Sequence, residues 1–242
     1  MALMGDLVQL SNFNNLYPYP IQIPKISYGS FLKSQPLPLI KTETFQEWVQ
    51  HFKKNFSLNR VIYLNQTHSD HIYLVNQLFN SSQVLEGDAL ITQEKKCALL
   101  AFHADCQVCF VYDPKTEAIG IVHAGFRGQI QKIYSKMIHR MQREMGVNVK
   151  DLMVFFSPSL CQKHAEFIHY EKEFPPKLWI YKDHLHRFDL KKMGLDEWID
   201  LGVKKSNIFT NSDCTYENVE LFYSYRQDKT PFRHVSYVFL NE

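Results

Sequence analysis

The residues best suited to chemistry lie at the two ends of a pair of apolar runs in the middle of the chain. Cys106 precedes the run Val108–Tyr112, and His123 follows the run Ala118–Val122. Both runs are short, rich in β-branched and aromatic residues, and separated by a turn that contains Pro114, which predicts a β-hairpin. The start of one strand of an antiparallel hairpin lies beside the end of the other. We therefore expect the thiol of Cys106 and the imidazole of His123 to be neighbours.

A third side chain, His68 in the segment Asn65–Asp70, completes a set that could bind a metal ion. Two neutral imidazoles and one thiolate form a ligand set that suits zinc. Three protein ligands leave a fourth position for water, as in a catalytic zinc site. Bound zinc lowers the pKa of its water to about 7. The sequence thus indicates a catalytic zinc site on His68, Cys106 and His123.

Other interpretations of the same residues remain open from the sequence. A buried cysteine is often only a small apolar side chain. Cys106 could instead be a nucleophile, with His123 or His68 as its base. Blue copper also uses two histidines and a cysteine, but it usually adds an axial methionine. No methionine lies close to Cys106 or His123 in the sequence, so copper is less favoured than zinc.

Five other polar residues are candidates for the same site. Asp105 could act as a base or orient a metal ligand, although a turn-capping role is equally compatible with its position. Arg127 precedes a predicted helix, where backbone amides and a guanidinium could bind phosphate; the alternative is a surface arginine. Asp88, Glu166 and Arg226 are further candidates that spacing alone does not distinguish from loop residues.

Composition limits the class of protein. The chain has 242 residues, 45% of them hydrophobic, which is enough for one large domain with a sizeable core. A net charge of +2 without a long basic run does not favour nucleic acid as a partner. No segment approaches the roughly 20 apolar residues that span a bilayer, and Met1–Leu10 lacks the basic start of a signal peptide. Five scattered cysteines are expected to be reduced thiols or ligands. We therefore expect a cytoplasmic protein.

Two amphipathic helices are predicted. Phe45, Trp48, Val49 and Phe52 recur at helical spacing, with Thr42 or Thr44 as the cap. A longer helix is predicted after Gly128 and is expected to end at Gly146. Its buried face should pack in the core, and it consists of Ile130, Ile133, Tyr134, Met137, Ile138, Met141 and Met145.

Residues 1–40 are predicted to be irregular because prolines interrupt them. Near the other end of the chain, a short helix is predicted around Leu195–Leu201 and is expected to end at Gly202. The remaining predicted strands are Arg60–Leu64, His71–Val75, Ala89–Thr92, Cys97–Phe102, Leu152–Phe156, Leu178–Tyr181, Arg187–Leu190, Asn207–Thr210, Leu221–Tyr225 and His234–Leu240. Strands and helices are mixed, with direct hairpins. This order predicts an α+β (mixed α/β) fold, a single domain with a mixed central β-sheet and flanking helices.

Several short motifs, taken together, resemble the laccase-domain family, also labelled polyphenol oxidase, which includes multifunctional purine nucleoside enzymes. The matching pieces are Gln66-Thr67-His68, Gly87–Thr92, Ala104-Asp105-Cys106, His123–Gly128, Ser157-Pro158, Ala165-Glu166-Phe167, Asp189-Leu190, Cys214-Thr215 and Phe222–Asp228. They follow the family's order from about residue 60 to residue 242, roughly three-quarters of the chain. The resemblance implies one laccase-domain-like domain over residues 1–242, with residues 1–40 divergent.

The resemblance also implies an activity. It implies zinc on His68, Cys106 and His123, and phosphorolysis of adenosine, inosine or methylthioadenosine to the base and (methylthio)ribose 1-phosphate. Adenosine deamination is implied as a second activity. The expected site residues beyond the metal ligands are Gln66, Arg127 and Arg226 for substrate or phosphate, and Asp105 and Glu166 for proton transfer or ribose contacts. Purine nucleoside and phosphate would be the small-molecule partners.

The chain departs from the family pattern in places. Two elements near the family's N-terminus are not recognisable in Ile26–Lys33, so a phosphate or nucleoside contact is missing or replaced. Phe126 stands where the family usually has tryptophan, which keeps the aromatic face but loses the indole donor. Two alternative functions follow: a copper-dependent polyphenol oxidase, and a non-enzymatic protein that keeps the fold and the metal.

Overall fold

The computed structural model describes residues 13, 15–34, 37–40, 42–80 and 84–242. Within these residues the strands form two mixed sheets. The four-stranded sheet has the order β1-β10-β5-β2, and the six-stranded sheet has the order β3-β4-β7-β6-β8-β9. The strands are β1 (Ile26–Ser30), β2 (Arg60–Ile62), β3 (Ile72–Val75), β4 (Ala89–Thr92), β5 (Cys97–His103), β6 (Gln107–Asp113), β7 (Ala118–Ala124), β8 (Met153–Phe156), β9 (Ile208–Phe209) and β10 (His234–Leu240).

The mixed α/β class is confirmed, but the single central sheet that we predicted is two sheets packed face to face. Leu99 and Val238 of the four-stranded sheet share one buried cluster with Phe110 and Ile121 of the six-stranded sheet. Among the described residues, one helix packs on the other face of the four-stranded sheet, and two helices pack on the other face of the six-stranded sheet. Strands covered on both faces are apolar along their whole length, which explains why β5, β6, β7 and β10 are buried at every position.

The first helix, α1 (Glu43–Asn55), packs on the outer face of the four-stranded sheet. Its side chains Trp48 and Phe52 share a cluster with Phe102 and Tyr237 of the sheet. The Thr42 side chain caps the helix by accepting the Phe45 N–H at 3.2 Å. The predicted helix and one of its two predicted caps are thus confirmed.

The long helix predicted after Gly128 is two helices, α2 (Phe126–Ile130) and α3 (Ile133–Met145). The break falls at Lys132, whose φ of 63° is left-handed. The buried carboxylate of Glu197 accepts the Ser135 N–H at 3.1 Å and its hydroxyl at 2.8 Å. This hydrogen bond satisfies a free amide in the first turn of α3. Because Glu197 belongs to another helix (Leu190–Asp200), a contact between helices stabilises the interruption. The predicted end at Gly146, with a φ of 69°, is confirmed.

The remaining described helices are α4 (Tyr170–Glu173), α5 (Leu190–Asp200) and α6 (Tyr225–Asp228). Three predicted strands are wrong. Residues 178–181 form the end of a 3-10 helix. Arg187 and Phe188 make only isolated bridges, and α5 begins at Leu190. Residues 221–224 are irregular and lead into α6 at Tyr225. Their apolar side chains pack in a separate cluster around Phe174 and Phe188 or against His234, so tertiary contacts decide their structure. Conversely, β1 lies in the stretch expected to be irregular.

No helix in the described part of the chain has the length and apolar character needed to cross a membrane.

Candidate metal centre

Three side chains from separate parts of the chain converge at the edge of the six-stranded sheet. The ligand atoms of His68, Cys106 and His123 all lie within 4.8 Å of one another. The Sγ of Cys106 is 3.7 Å from the Nε2 of His68. His123 stands in β7 and Cys106 immediately precedes β6, so the register of this hairpin brings them together. The structure therefore groups the three predicted metal ligands.

Asp88 holds two of these ligands in place. Its buried carboxylate lies 2.8 Å from the Nδ1 of His123, which leaves the Nε2 of that ring toward Cys106. The same carboxylate accepts the backbone N–H groups of Thr67, His68 and Ser69 at 2.7–3.3 Å. A carboxylate behind a ligating histidine fixes its tautomer and orientation. Asp88 does this for His123 and also shapes the loop that presents His68.

Hydrogen bonds from neighbouring segments fix the conformation of the loop around His68. His68 has a left-handed φ of 58°, a backbone conformation that is uncommon for residues other than glycine. Gln66 makes some of these hydrogen bonds. Its side-chain amide donates to the Phe102 carbonyl and accepts the Phe102 N–H, both at 2.7 Å. Gln66 thus ties the loop to β5.

Gly125 allows the rings to approach. A Cβ built at this position would lie 2.6 Å from the Cδ2 of His68 and 3.2 Å from the Sγ of Cys106. Its φ of −68° suits any residue, so the requirement for glycine is steric.

We therefore expect Gly125→Ala to displace His68 and weaken zinc binding about tenfold or more, in line with the ~1–3 kcal/mol cost of overpacking. Competition with a zinc chelator measures the affinity. Gly128→Ala is the matched control, because a Cβ there meets its nearest neighbour at an ordinary 3.4 Å. Equal zinc affinity in the two variants would contradict this explanation.

The electrostatics of the site favour a thiolate. Burial tends to raise the pKa of Cys106, but the imidazoles of His123 and His68 lower it to about 6. Burial tends to lower the pKa of His123, but the Cys106 thiolate and the Asp88 carboxylate raise it to about 9. A bound cation would take the place of the imidazolium proton, because metal ligands bind in their deprotonated form.

The separation between the ligand atoms of Cys106 and His68 fits zinc. Tetrahedral zinc with a Zn–N distance of about 2.05 Å and a Zn–S distance of about 2.3 Å separates the two ligand atoms by about 3.6 Å. The observed Cys106–His68 separation is 3.7 Å. The residues lining the adjoining cavities, within the described chain, include no methionine that could serve as an axial copper ligand. The donor set therefore favours zinc over blue copper.

Two cavities meet at these ligands. One, of about 370 Å³, has aromatic walls from Phe126, Phe167 and Tyr225. The other, of about 530 Å³, lies on the side of Gln66 and His103. Both are lined in part by His68 and Cys106. Their volumes are those of small-molecule sites, so a metal ion here would be accessible to a ligand.

Four basic side chains surround the cavities. Arg127 lines both of them, and its guanidinium stacks on Phe126 with 4.8 Å to the ring centroid. Arg226 donates to the Glu166 carbonyl at 2.9 Å, and its guanidinium lies 5.5 Å from the Phe167 ring centroid. The other two basic residues are Lys229 and Arg233. The rim is therefore suited to an anionic ligand.

The two predicted proton-transfer residues occupy different positions. Asp105 lines the aromatic cavity, but its oxygens accept the Thr215 hydroxyl and the Arg226 N–H, each at 2.6 Å. Its φ of 87° is left-handed. Glu166 is exposed, and its backbone carbonyl binds Arg226. Asp105 therefore joins the loop before Cys106 to the segment that carries Arg226.

Sequence reasoning gave too little weight to some residues of this site. Asp88 was only a loop candidate, and Gly125, Lys229 and Arg233 were not singled out. The Gly87-Asp88 pair before an apolar strand was the available signal for Asp88. No local sequence pattern indicates a role for Arg233. It precedes β10, and the long-range pairing of β10 with β5 brings this segment to the site.

Comparison with known proteins identifies the family of this chain. Residues 41–241 match the family described as multi-copper polyphenol oxidoreductase laccase. A purine nucleoside phosphorylase of Borreliella burgdorferi is 31% identical over 177 residues, spanning 69% of this chain and 74% of the relative. One of Clostridium acetobutylicum is 31% identical over 209 residues, spanning 82% and 85%.

Solved structures share the fold. YlmD from Geobacillus stearothermophilus matches with a TM-score of 0.78 at 20% identity, covering 90% of this chain and 93% of that one. The Bacillus licheniformis protein YfiH matches with a TM-score of 0.72 at 21% identity, covering 95% and 100%. The chain therefore belongs to the multi-copper polyphenol oxidoreductase laccase family.

Proposed function

We propose that this protein is a zinc-dependent purine nucleoside phosphorylase that cleaves adenosine, inosine or methylthioadenosine to the base and the corresponding ribose 1-phosphate. The observation that carries the proposal is the His2Cys centre placed where an aromatic cavity meets a basic rim. The relatives named purine nucleoside phosphorylase support the same activity. The five cysteines are free thiols, which is consistent with a cytoplasmic location.

His68, Cys106 and His123 would hold the zinc ion. When bound, zinc supplies a Lewis acid that polarises an oxygen of water or substrate. Adenosine deamination is proposed as a second activity of the same centre, since zinc deaminases use a mixed His/Cys ligand set. Phosphorolysis adds phosphate to the sugar C1′ and releases the base with the electrons of the glycosidic bond.

The chain's own side chains account for binding. Phe126 and Phe167, whose ring centroids lie 5.0 Å apart, provide apolar faces for a purine. Arg127 and Arg226 would bind phosphate and hold it for attack. Asp105 is the better placed of the two proposed proton-transfer residues, because it lines the cavity. Gln66 would act through the His68 loop that it fixes.

Arg127→Ala tests the phosphate role. Charge-assisted hydrogen bonds of this kind contribute about 10- to 100-fold in affinity, so we expect the KM for phosphate to rise by about that factor while zinc content is unchanged. Steady-state kinetics with varied phosphate measure it. Arg143→Ala, in the last turn of α3 and paired with Glu144, is the matched control. A wild-type rate in Arg127→Ala would contradict the assignment.

Product analysis tests the function itself. Zinc-loaded protein is incubated with inosine and with adenosine, each with and without phosphate, and the products are separated by chromatography. Phosphate-dependent release of hypoxanthine or adenine supports the phosphorylase. Inosine formed from adenosine without phosphate supports deamination alone. Oxygen consumption with a phenol, restricted to copper-loaded protein, would favour the alternative polyphenol oxidase.

A further inference from the structure

A second group of metal-ligating side chains lies outside the His68–Cys106–His123 centre. Cys161, His164 and Glu217 each offer a ligand atom, and these atoms lie within 4.8 Å of one another. Cys161 caps a 3-10 turn and His164 is the last residue of that turn, which gives a Cys-x-x-His spacing. This spacing resembles the ligand pairs of structural zinc sites, which join two ligands across a tight turn.

Surrounding contacts hold the side chains of His164 and Glu217 and the backbone of Cys161. The imidazole of His164 stacks on Tyr216 with 3.9 Å between ring centroids, and its Nε2 lies 3.1 Å from the Oε1 of Glu217. The Cys161 N–H donates to the Sγ of Cys214 at 3.2 Å. The group is thus ordered by neighbours that are not themselves needed as ligands.

One cation already occupies part of this space. The Nζ of Lys163 lies 2.9 Å from the Oε1 of Glu217, but the lysine side chain is 68% exposed. Exposed ion pairs contribute little free energy, so a divalent cation can displace the ammonium into water.

We propose that Cys161, His164 and Glu217 bind a second divalent metal ion of the zinc class. Thiolate, imidazole and carboxylate are all zinc ligands. The ion would join the 161–164 turn to the 214–217 segment, whose Thr215 hydroxyl holds Asp105 beside the aromatic cavity. Its role would be structural, and the site is independent of the activity proposed above.

Zinc content tests this proposal on the whole 242-residue chain, with zinc alone as the added ligand. After loading and dialysis we expect about two zinc ions per wild-type chain and about one in Cys106→Ala, because each site uses its own ligands. The double variant Cys106→Ala/His164→Ala should retain almost none. Cys106→Ala/His184→Ala, which removes an exposed histidine elsewhere, is the matched control and should retain about one.

Two results would overturn the proposal: a folded Cys106→Ala protein that binds no zinc, or a double variant that binds as much as Cys106→Ala. Cobalt substitution keeps the test valid if Cys106→Ala misfolds. His164→Ala alone should then lose about half of the thiolate-to-cobalt absorption, and an unchanged spectrum would exclude the second site. Zinc lost in His164→Ala but not in Cys106→Ala would instead exclude the first site, so the two proposals fail separately.

Discussion

We expect Cys106→Ala to remove zinc from the His68–Cys106–His123 centre and to lower the phosphorolysis rate by more than about a hundredfold. Loss of residues that merely orient a ligand costs about 10- to 100-fold, and Cys106 is the thiolate itself. Its Sγ is the one sulfur in the set, 3.7 Å from His68. The remaining imidazoles cannot supply the same negative charge to the ion.

The matched control is Cys109→Ala, three residues along the chain and within β6. Its thiol lies 3.8 Å from the Tyr134 hydroxyl, and burial raises its pKa to about 12. We expect this variant to lose some stability, because a buried side chain is truncated, while zinc content and activity stay near the wild-type values. Equal loss of activity in both variants would show that Cys106 acts through folding rather than as a ligand.

The second large effect is expected from Asp88→Asn. The carboxylate accepts three backbone N–H groups and faces His123, and an amide nitrogen in its place would confront some of these donors. We expect zinc affinity to fall about 10- to 100-fold and the free energy of unfolding to fall by about 2–4 kcal/mol. Chelator competition and denaturant unfolding measure the two quantities.

The pH dependence of stability provides a further signature of Asp88. Burial tends to raise its pKa, but His123 and the Ser69 donors hold the pKa below its ordinary value. The ionised Asp88 carboxylate therefore contributes fully to the stability of the zinc-free protein when the pH is above the ordinary aspartate pKa of about 4. This contribution is lost as the pH falls through the lowered pKa of Asp88 in the folded protein. Because Asp88→Asn has no carboxylate to protonate at this position, its free energy of unfolding should fall less than that of the wild type as the pH is lowered through this range.

Asp113→Asn is the matched control for Asp88. This buried carboxylate at the end of β6 accepts the Lys115 N–H and the Thr116 hydroxyl, both at 2.9 Å. It should lower stability without changing zinc affinity. If both aspartates affected zinc equally, the loss would come from general destabilisation.

The neighbourhood of Cys106 and His123 could be predicted because a hairpin is a local structure. One turn and two apolar runs set its register, and the register places both residues at the same edge. The helix periodicity around Trp48 was equally local. His68 was within reach of prediction because few residue types complete such a ligand set.

The remaining features depend on contacts between distant parts of the chain. β1 is a strand because it pairs with β10, more than 200 residues later, and its own sequence carries no strong signal. The division into two sheets depends on which strands pair, which local patterns do not encode. The role of Asp88 depends on the fold, which brings five donors around one carboxylate. The break at Lys132 required Glu197 from another helix.

Anomalous diffraction from zinc-loaded crystals, recorded above and below the zinc absorption edge, tests the central claim most directly. We predict a zinc peak bounded by the Sγ of Cys106 and the Nε2 atoms of His68 and His123, at about 2.3 Å and 2.0–2.1 Å. The fourth position should be taken by water or a substrate oxygen. A peak without these three ligands, or a fourth protein ligand that closes the site, would contradict the assignment of a catalytic zinc centre.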